Sequence, residues 1–274
     1  MVREITLGQF MPGKSVIHRL DARTKIVLMI SYIVFIFLCK NFISLLIMSL
    51  FSLLVIMMTR ISFMKYLKSL RVILVVIILT GVMNVFYGTG DVLFQWWQLT
   101  ITTGGITNAI FVIVRISMLM MVSSVLTYTT SPTDLTDGLE RLMKPLTLFH
   151  VKVHEIAMMM TIALRFIPVL LEETDKIMNA QKARGADMEN GSIVQRVKAL
   201  IPVLIPLFVS AFRRAGDLAT AMECRCYNGG KNRTRMKVLL FTAVDLTALL
   251  FCLIIFSGVI VSNCFLGALP LSDF

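Results

Sequence analysis

The stretch FISLLIMSLFSLLVIMMT, residues 42–59, holds eighteen consecutive residues without a charge and is followed by Arg60. A helix of about this length is needed to cross the hydrocarbon core of a bilayer. Four further apolar segments bring the predicted number of membrane helices to five: 26–38, which is short for a full span, 72–87, 106–128 and 238–262. With 57% hydrophobic residues, the chain is predicted to be an all-α integral membrane protein.

The distribution of the 27 Lys and Arg residues predicts the orientation of these helices. Five precede residue 26, four lie at 60–71 and sixteen at 131–237, whereas 88–105 and 263–274 contain none. Positively charged segments stay on the cytoplasmic side, so we expect a cytoplasmic N-terminus and an external C-terminus. The net charge of +11 is therefore a signal of topology and gives no support to nucleic-acid binding.

The same pattern predicts three parts of the chain. Residues 1–130 form an N-terminal segment with four membrane helices, and residues 238–274 form the last membrane helix and an external C-terminus. Between them, 131–237 is a cytoplasmic domain of three helices. The sequence SPTD at 131–134 begins the first, with Ser131 as the N-cap, and this helix is expected to stop at Pro145.

The other two cytoplasmic helices are predicted to be long, at about 151–184 and 192–225, because apolar residues recur there three and four positions apart. Their cleanest apolar cores, 156–171 and 201–212, are too short to span a bilayer. Spanning would also place several Lys and Arg residues on the external side. We therefore expect two long helices along or just below the membrane, with Pro202 and Pro206 kinking the second.

Both long helices end in an arginine, in NAQKARG at 179–185 and in MECRCYNGG at 222–230. One interpretation is that Arg184 and Arg225 favour the helix dipole, and that Gly185 and Gly229 stop the two helices. The other is that each tip seats in a groove of a partner, where the guanidinium binds a carboxylate through two charge-assisted hydrogen bonds.

Three other patterns resemble ligand sites but lack the necessary context. GQFMPGKS at 8–15 matches a phosphate-binding loop, yet no strand precedes it and Pro12 lacks an amide N–H. His150 and His154 have the spacing of a zinc pair but no further ligands nearby, and Cys224 with Cys226 is a bare pair. No catalytic, cofactor or metal site is predicted.

One charge lies inside a predicted membrane helix. Arg115 falls within 106–128, and a charge in that position is expensive unless it is paired. Asp245, in the last membrane helix, is the candidate partner, although it is expected to lie about 10 Å nearer the cytoplasm. We expect a structural ion pair in preference to a transport site.

The chain resembles the transmembrane T component of energy-coupling factor (ECF) transporters, the vitamin and trace-metal importers of the ATP-binding-cassette class. The resemblance covers nearly the whole chain and is carried by these stretches: PGKSVIHRLDARTK (12–25), SPTDLTDGLERLMKP (131–145), ALRFIPVLLEETDKIMNAQKARG (163–185) and RRAGDLATAMECRCYNGG (213–230). In that family, Ala-Arg-Gly tips of two crossed coupling helices dock into two ATPase subunits. Ala183, Arg184 and Gly185 match the triplet in full, whereas Cys224 and Cys226 flank Arg225 in the second tip.

The resemblance implies a scaffold in the bacterial or archaeal cytoplasmic membrane that is not itself an enzyme. It would carry the ATP-driven motion of two ATPase subunits to a separate membrane subunit that binds the substrate. Which vitamin or ion is moved is a property of that other subunit. Two alternatives are a stand-alone secondary transporter, which requires several polar groups at the midplane, and a membrane metalloenzyme, which requires more His residues.

Overall fold

The structure, a computed structural model, describes residues 10–86, 92–96, 99–186, 192–229 and 240–266. It is built almost entirely from helices, which confirms the predicted all-α integral membrane fold. The helices in chain order are α1 (Val16–Arg19), α2 (Ala22–Leu38), α3 (Phe42–Thr59), α4 (Phe63–Phe86), α5 (Thr103–Thr129), α6 (Pro132–Leu142), a 3-10 helix (Lys144–Phe149), α7 (Val153–Ala183), α8 (Ile193–Cys224) and α9 (Ala243–Leu266).

Two compact units are formed. The membrane unit contains residues 10–138 and 240–266, and the second unit, called the α7–α8 unit below, contains 139–186 and 192–229. The membrane unit is discontinuous in sequence, because α9 at the end of the chain packs with α2 and α3 near its beginning. The division between the units falls inside α6, after Gly138.

Six helices are long and apolar enough to cross a membrane, within the parts of the chain that the structure describes. They are α3, α4, α5, α7, α8 and α9. α2 has 17 residues and is shorter than these. α7 and α8 are the two least apolar of the six, and the sequence analysis predicts them outside the bilayer. α4 begins at Phe63, so it starts nine residues before the predicted membrane helix 72–87.

The core of the membrane unit consists of aromatic and aliphatic side chains, and further apolar side chains face outward. Its largest cluster joins α2, α3, α5 and α9, where the rings of Phe35 and Phe256 stack with centroids 4.2 Å apart. The outward faces carry large apolar side chains, such as Val72 at 85% exposure and Val75 at 74%. Helices that expose aliphatic side chains in this way are stable in lipid, where these faces need no water.

A short antiparallel hairpin lies between α4 and α5 and is the only strand pair in the described ranges. Its strands are β1 (Val92–Trp96) and β2 (Leu99–Thr102), and Val92 pairs with Thr102. α5 follows directly, because the Thr102 hydroxyl accepts a hydrogen bond from the Gly105 N–H at 3.1 Å and caps the helix. The sequence pattern does not predict this hairpin.

Arg115 and Asp245 do not form the predicted ion pair. The Arg115 guanidinium donates to the Cys39 carbonyl at 2.8 Å and lies 4.6 Å from the centre of the Phe111 ring. The Asp245 carboxylate accepts backbone N–H groups from Asp21 at 2.8 Å and Thr242 at 2.9 Å. Arg115, in the middle of α5, thus contacts the end of α2, whereas Asp245 binds backbone groups at the start of α2 and α9, so the prediction of a shared pair was wrong.

The contacts of Arg115 follow from the shortness of α2. Lys25 near the start of α2 donates to the Thr129 carbonyl at the end of α5, so the two helices are antiparallel. Fourteen residues separate Lys25 from Cys39 and Arg115 from Thr129, so both contacts lie about 21 Å apart along each helix. The last carbonyls of α2 therefore end beside Arg115, which supplies the donor that lipid lacks.

Asn263 of α9 completes the same helix end. Its side-chain amide donates to the Leu38 carbonyl at 2.9 Å. Carbonyls at the end of a helix have no partner within that helix, and an unsatisfied one is costly in hydrocarbon. Arg115 and Asn263 thus act together as a cap for α2 that is built from two other helices.

Candidate functional site

The first arginine tip ends α7 in a regular C-terminal cap. Arg184 is the last residue before the chain leaves the helix, and Gly185 follows in the left-handed region with φ of +86°. The Gly185 N–H donates to the Lys182 carbonyl at 3.0 Å, and the Ala186 N–H donates to the Gln181 carbonyl at 3.0 Å. These two bonds define a Schellman motif, which satisfies the last carbonyls and turns the chain away.

The second tip repeats this geometry at the end of α8. Arg225 occupies the position of Arg184, and Cys226 follows with φ of +54°. The Cys226 N–H donates to the Glu223 carbonyl at 2.9 Å, and the Tyr227 N–H donates to the Met222 carbonyl at 3.0 Å. The two arginines therefore sit at equivalent positions of two equivalent caps.

This geometry corrects the predicted stop of the second helix. Gly185 does stop α7, as predicted, but α8 is stopped by Cys226 and not by Gly229. Gly229 also has a positive φ, +72°, but it lies three residues after the cap. A left-handed cysteine is less favourable than a glycine, because its Cβ approaches the following carbonyl oxygen. No sequence signal distinguishes Cys226 in advance, since glycine is the usual residue at this position.

Both tips are open to solvent in the α7–α8 unit. The triplets Ala183-Arg184-Gly185 and Cys224-Arg225-Cys226 are exposed throughout. Within the described ranges, neither Arg184 nor Arg225 has an ion-pair partner or a side-chain hydrogen bond. Each guanidinium thus keeps its full set of donors, and the flanking residues are small. The predicted tip residues therefore form two exposed, positively charged helix ends.

The helices that carry the tips are joined by polar contacts between Glu173 of α7 and two residues of α8, Ser210 and Arg214, called the Glu173–Arg214 fastening below. Glu173 of α7 accepts hydrogen bonds from the Ser210 hydroxyl at 2.5 Å and from two nitrogens of Arg214, the closer at 2.8 Å. The side-chain amide of Gln181 reaches the Pro202 carbonyl at 3.4 Å. Contacts advance along α7 while they go back along α8, so the helices are antiparallel. The periodicity of either helix alone does not predict this contact, because Glu173 and Ser210 lie 37 positions apart in the sequence.

The antiparallel arrangement places the two tips far apart. Arg184 lies eleven residues past Glu173 on α7, and Arg225 lies fifteen residues past Ser210 on α8, in the opposite direction. At about 1.5 Å per residue, the two arginines are separated by roughly 40 Å along the pair. Gly229 agrees with this placement, since a Cβ at this position would lie 4.0 Å from Oε1 of Glu155 at the start of α7.

The ligand-site patterns that lacked context are used structurally. His150 ends the 3-10 helix with φ of +61°, so it does not share a helical face with His154. His154 Nδ1 lies 2.9 Å from the Glu140 carboxylate. No group of three His, Cys, Asp or Glu side chains is close enough to hold a metal, within the described part of the chain. Ser131 caps α6 as predicted, by accepting the Asp134 N–H at 3.1 Å, although the helix ends at Leu142 before a 3-10 turn.

The sequence matches known proteins over nearly its whole length. The family described as CbiQ, cobalt transport protein, matches residues 13–236. The energy-coupling factor transporter transmembrane protein EcfT of Thermosediminibacter oceani is 49% identical over 262 residues, which cover 96% of this chain and 99% of that protein. The chain belongs to the energy-coupling factor transporter transmembrane protein family.

Two more members of the family are similarly close. The protein of the same name from Ruminiclostridium cellulolyticum is 48% identical over 89% of this chain and 92% of its own. That of Clostridium kluyveri is 46% identical over 97% of this chain and 100% of its own. The chain is accordingly a transporter component and a multi-pass protein of the cell membrane, and its resemblance to this family is confirmed.

Proposed function

We propose that the chain is the non-catalytic scaffold of an ECF-type importer, with Arg184 and Arg225 docking two ATPase subunits. The motion of those subunits, driven by ATP, passes through α7 and α8 to a membrane subunit that binds a vitamin or another micronutrient. The orientation follows from the charge distribution, with the N-terminus and the α7–α8 unit in the cytoplasm and the C-terminus outside.

The observation that carries the proposal is the identity of the two caps. A single Arg at a helix C-terminus is adequately explained by the helix dipole. Two long helices that end in the same Schellman motif, with Arg at the same position and small residues on both sides, are better explained by two equivalent receiving grooves. Small neighbours allow close approach, and the planar guanidinium suits a carboxylate in the groove.

The placement of the tips suits two partners at once. A separation of roughly 40 Å leaves room for two globular domains, one at each end of the helix pair. The Glu173–Arg214 fastening lies between the tips, so a displacement at either tip is transmitted to the other helix. Along α8, large apolar side chains such as Phe212, at 73% exposure, remain uncovered and can receive an apolar membrane subunit.

Charge reversal at the tips tests the docking role. The chain is co-expressed with its ATPase pair and recovered through an affinity tag on the chain. We expect Arg184→Glu and Arg225→Glu each to weaken recovery of the ATPases, and the double variant to abolish both recovery and uptake. A reversed charge leaves two like charges in the groove, which costs several kcal/mol per contact, about a hundredfold or more.

The matched control is Arg213→Glu, which reverses an exposed charge in the middle of α8 without touching a tip. It is expected to keep both ATPases. Membrane insertion is checked for every variant by the amount of folded chain extracted in mild detergent. Retention of the ATPase pair by the well-inserted double variant would contradict the proposal.

A further inference from the structure

A cavity in the membrane unit lies where α3 ends and α4 begins, against the segment that precedes α1. It is lined by residues of three stretches: 11–15 with His18, 59–62, and Lys65. Three of the lining side chains are basic, Lys14, Arg60 and Lys65, and no Asp or Glu is among the described residues that line the cavity. All three are exposed, and no ion pair involves them among the residues that the structure describes.

The wall of this cavity is fixed before any ligand arrives. The Met11 N–H donates to the Tyr128 carbonyl at 2.9 Å, which attaches the segment to the end of α5. His18 Nε2 donates to the Met11 carbonyl at 3.0 Å, and the Ser15 hydroxyl lies 2.6 Å from His18 Nδ1. The imidazole packs so closely that a Cβ at Gly13 would come within 2.7 Å of it. Lys14 therefore lies on a segment that is already ordered, and Arg60 is fixed separately as the residue that ends α3.

Three cations that line one cavity without a counter-charge repel one another, and a bound anion removes that repulsion. A phosphate group matches the available donors, since ammonium and guanidinium groups both bind its oxygens by charge-assisted hydrogen bonds. The cavity also has room for it, because its lining combines these cations with the small or polar residues Gly13, Ser15 and Ser62.

The surroundings indicate where the phosphate comes from. Exposed apolar side chains flank the cations in sequence: Met57 at 79%, Met64 at 70%, Val16 at 48% and Phe63 at 45%. Apolar side chains beside cations are typical of the level where lipid headgroups meet acyl chains. A phospholipid fits both features, with its phosphate on the cations and its chains along the methionines.

We propose that this cavity binds a phosphate group, supplied by the headgroup of an anionic phospholipid. The site is separate from the arginine tips, and it holds whether or not those tips dock ATPases. It also gives a use to part of the GQFMPGKS stretch, whose Lys14 and Ser15 line the cavity.

The test compares the full-length chain with two triple variants that remove the same charge. The site variant is Lys14→Gln/Arg60→Gln/Lys65→Gln. The control is Arg19→Gln/Lys68→Gln/Arg71→Gln, three exposed cations of α1 and α4 that do not line the cavity. Binding of phosphatidylglycerol is measured by native mass spectrometry in a neutral detergent, with phosphatidylcholine and millimolar inorganic phosphate as separate arms.

We expect the site variant to bind phosphatidylglycerol at least about tenfold more weakly than the wild type, while the control stays within about threefold. If the site variant loses binding of inorganic phosphate but not of phosphatidylglycerol, the cavity is a phosphate site whose ligand is free phosphate. That result would overturn the assignment to a phospholipid. Equal binding in all three proteins, or an equal loss in both variants, would overturn the proposal. If the site variant does not fold, Lys14→Gln/Lys65→Gln, which leaves the turn at Arg60 intact, decides in the same assay.

Discussion

Residues 185 and 226 occupy the same left-handed position after two different helices, but only one of them is a glycine. Gly185 adopts φ of +86° without a steric penalty, whereas Cys226 holds φ of +54° against the crowding of its own Cβ. The penalty for a non-glycine residue is about 1–2 kcal/mol. The cap of α8 is thus less stable than the cap of α7, although the two caps have equivalent hydrogen bonds.

Substitutions at the two positions should therefore have opposite effects. We expect Gly185→Ala to destabilise the last turn of α7 by about 1 kcal/mol and Cys226→Gly to stabilise that of α8 by a similar amount. No atom lies within 4 Å of a Cβ at 185, so the cost there is conformational and not steric. Hydrogen exchange of the amides in the two last turns measures both changes.

Gly216→Ala is the matched control for this pair. Gly216 lies inside α8, also with nothing within 4 Å of a Cβ, but its φ is that of an ordinary helical residue. The substitution should slow exchange, because alanine favours a helix interior over glycine by about 1 kcal/mol. If Gly185→Ala slowed exchange in the same way, this result would contradict a left-handed conformation at residue 185.

The cap of α2 predicts a second pair of single-residue effects. Arg115→Met and Asn263→Leu should each destabilise the membrane unit by about 1–2 kcal/mol, because each leaves a carbonyl of α2 without its donor. Ser257→Ala is the control, since Ser257 bonds only within its own helix and is exposed; its effect should be below about 0.5 kcal/mol. Unfolding in mixed micelles with increasing sodium dodecyl sulfate measures all three.

At the scale of elements, the fastening of α7 to α8 depends on one carboxylate. Glu173 accepts from Ser210 and Arg214 at once, and its side chain is 22% exposed against 44% for Arg214. A partly shielded pair with two guanidinium contacts is worth more than an open surface pair. Because α7 and α8 have few other polar contacts in the described ranges, this carboxylate also determines how the two helices are aligned.

A double-mutant cycle with Glu173→Gln and Arg214→Gln should give a coupling energy clearly above zero. The pair Lys152 and Glu155 serves as the comparison, at 3.5 Å with exposures of 77% and 43%. Its coupling energy should be near zero, since an open surface pair is well screened. Chemical unfolding measures both cycles. If the coupling energy of Glu173 and Arg214 were no larger than that of the open pair, this contact would not hold α7 and α8 together.

The helices were largely predictable because their boundaries are local. The predicted segment 42–59 is α3 without change, and the predicted 151–184 and 192–225 differ from α7 and α8 by two residues or fewer. Apolar periodicity, a capping serine and the terminal arginines all lie within the helices they define. The predicted arginine tips were accordingly found at helix ends.

What could not be predicted depends on contacts between distant segments. Arg115 meets Cys39, 76 positions away, and Asp245 meets Asp21, 224 positions away. The pairing of Arg115 with Asp245 was inferred from charge alone, whereas the depth at which α2 ends decides the partner. The left-handed conformation of Cys226 and the Glu173–Arg214 fastening could not be predicted either, because neither residue type specifies that role.

At the scale of the whole molecule, the membrane unit is held together by polar contacts at both ends of its short second helix. Arg115 and Asn263 cap the end of α2. At its beginning, the fully buried Asp245 binds the Asp21 N–H and so joins the first turns of α2 and α9. In a lipid environment apolar side chains gain little from contact with one another, so such polar contacts define which helices are neighbours.

Removal of the Asp245 carboxylate should therefore loosen α9. We expect Asp245→Ala to destabilise the membrane unit by about 2–3 kcal/mol, because the N–H groups of Asp21 and Thr242 lose their acceptor. Asp245→Asn should cost less, since one amide oxygen can still accept one of these bonds. The exposed Asp217 of α8 gives the control Asp217→Ala, which should leave thermal unfolding unchanged. Equal unfolding temperatures for Asp245→Ala and this control would contradict the role given to Asp245.

The discontinuity of the membrane unit has a consequence for biosynthesis. The ribosome delivers α2 early, yet two of the groups that satisfy its ends, Asp245 and Asn263, arrive only with α9. Until translation finishes, the nascent chain thus carries open backbone groups at both ends of α2. A chain that stops before α9 leaves the Asp21 N–H and the Leu38 carbonyl without these partners. Completion of the last helix is the step that closes the bundle.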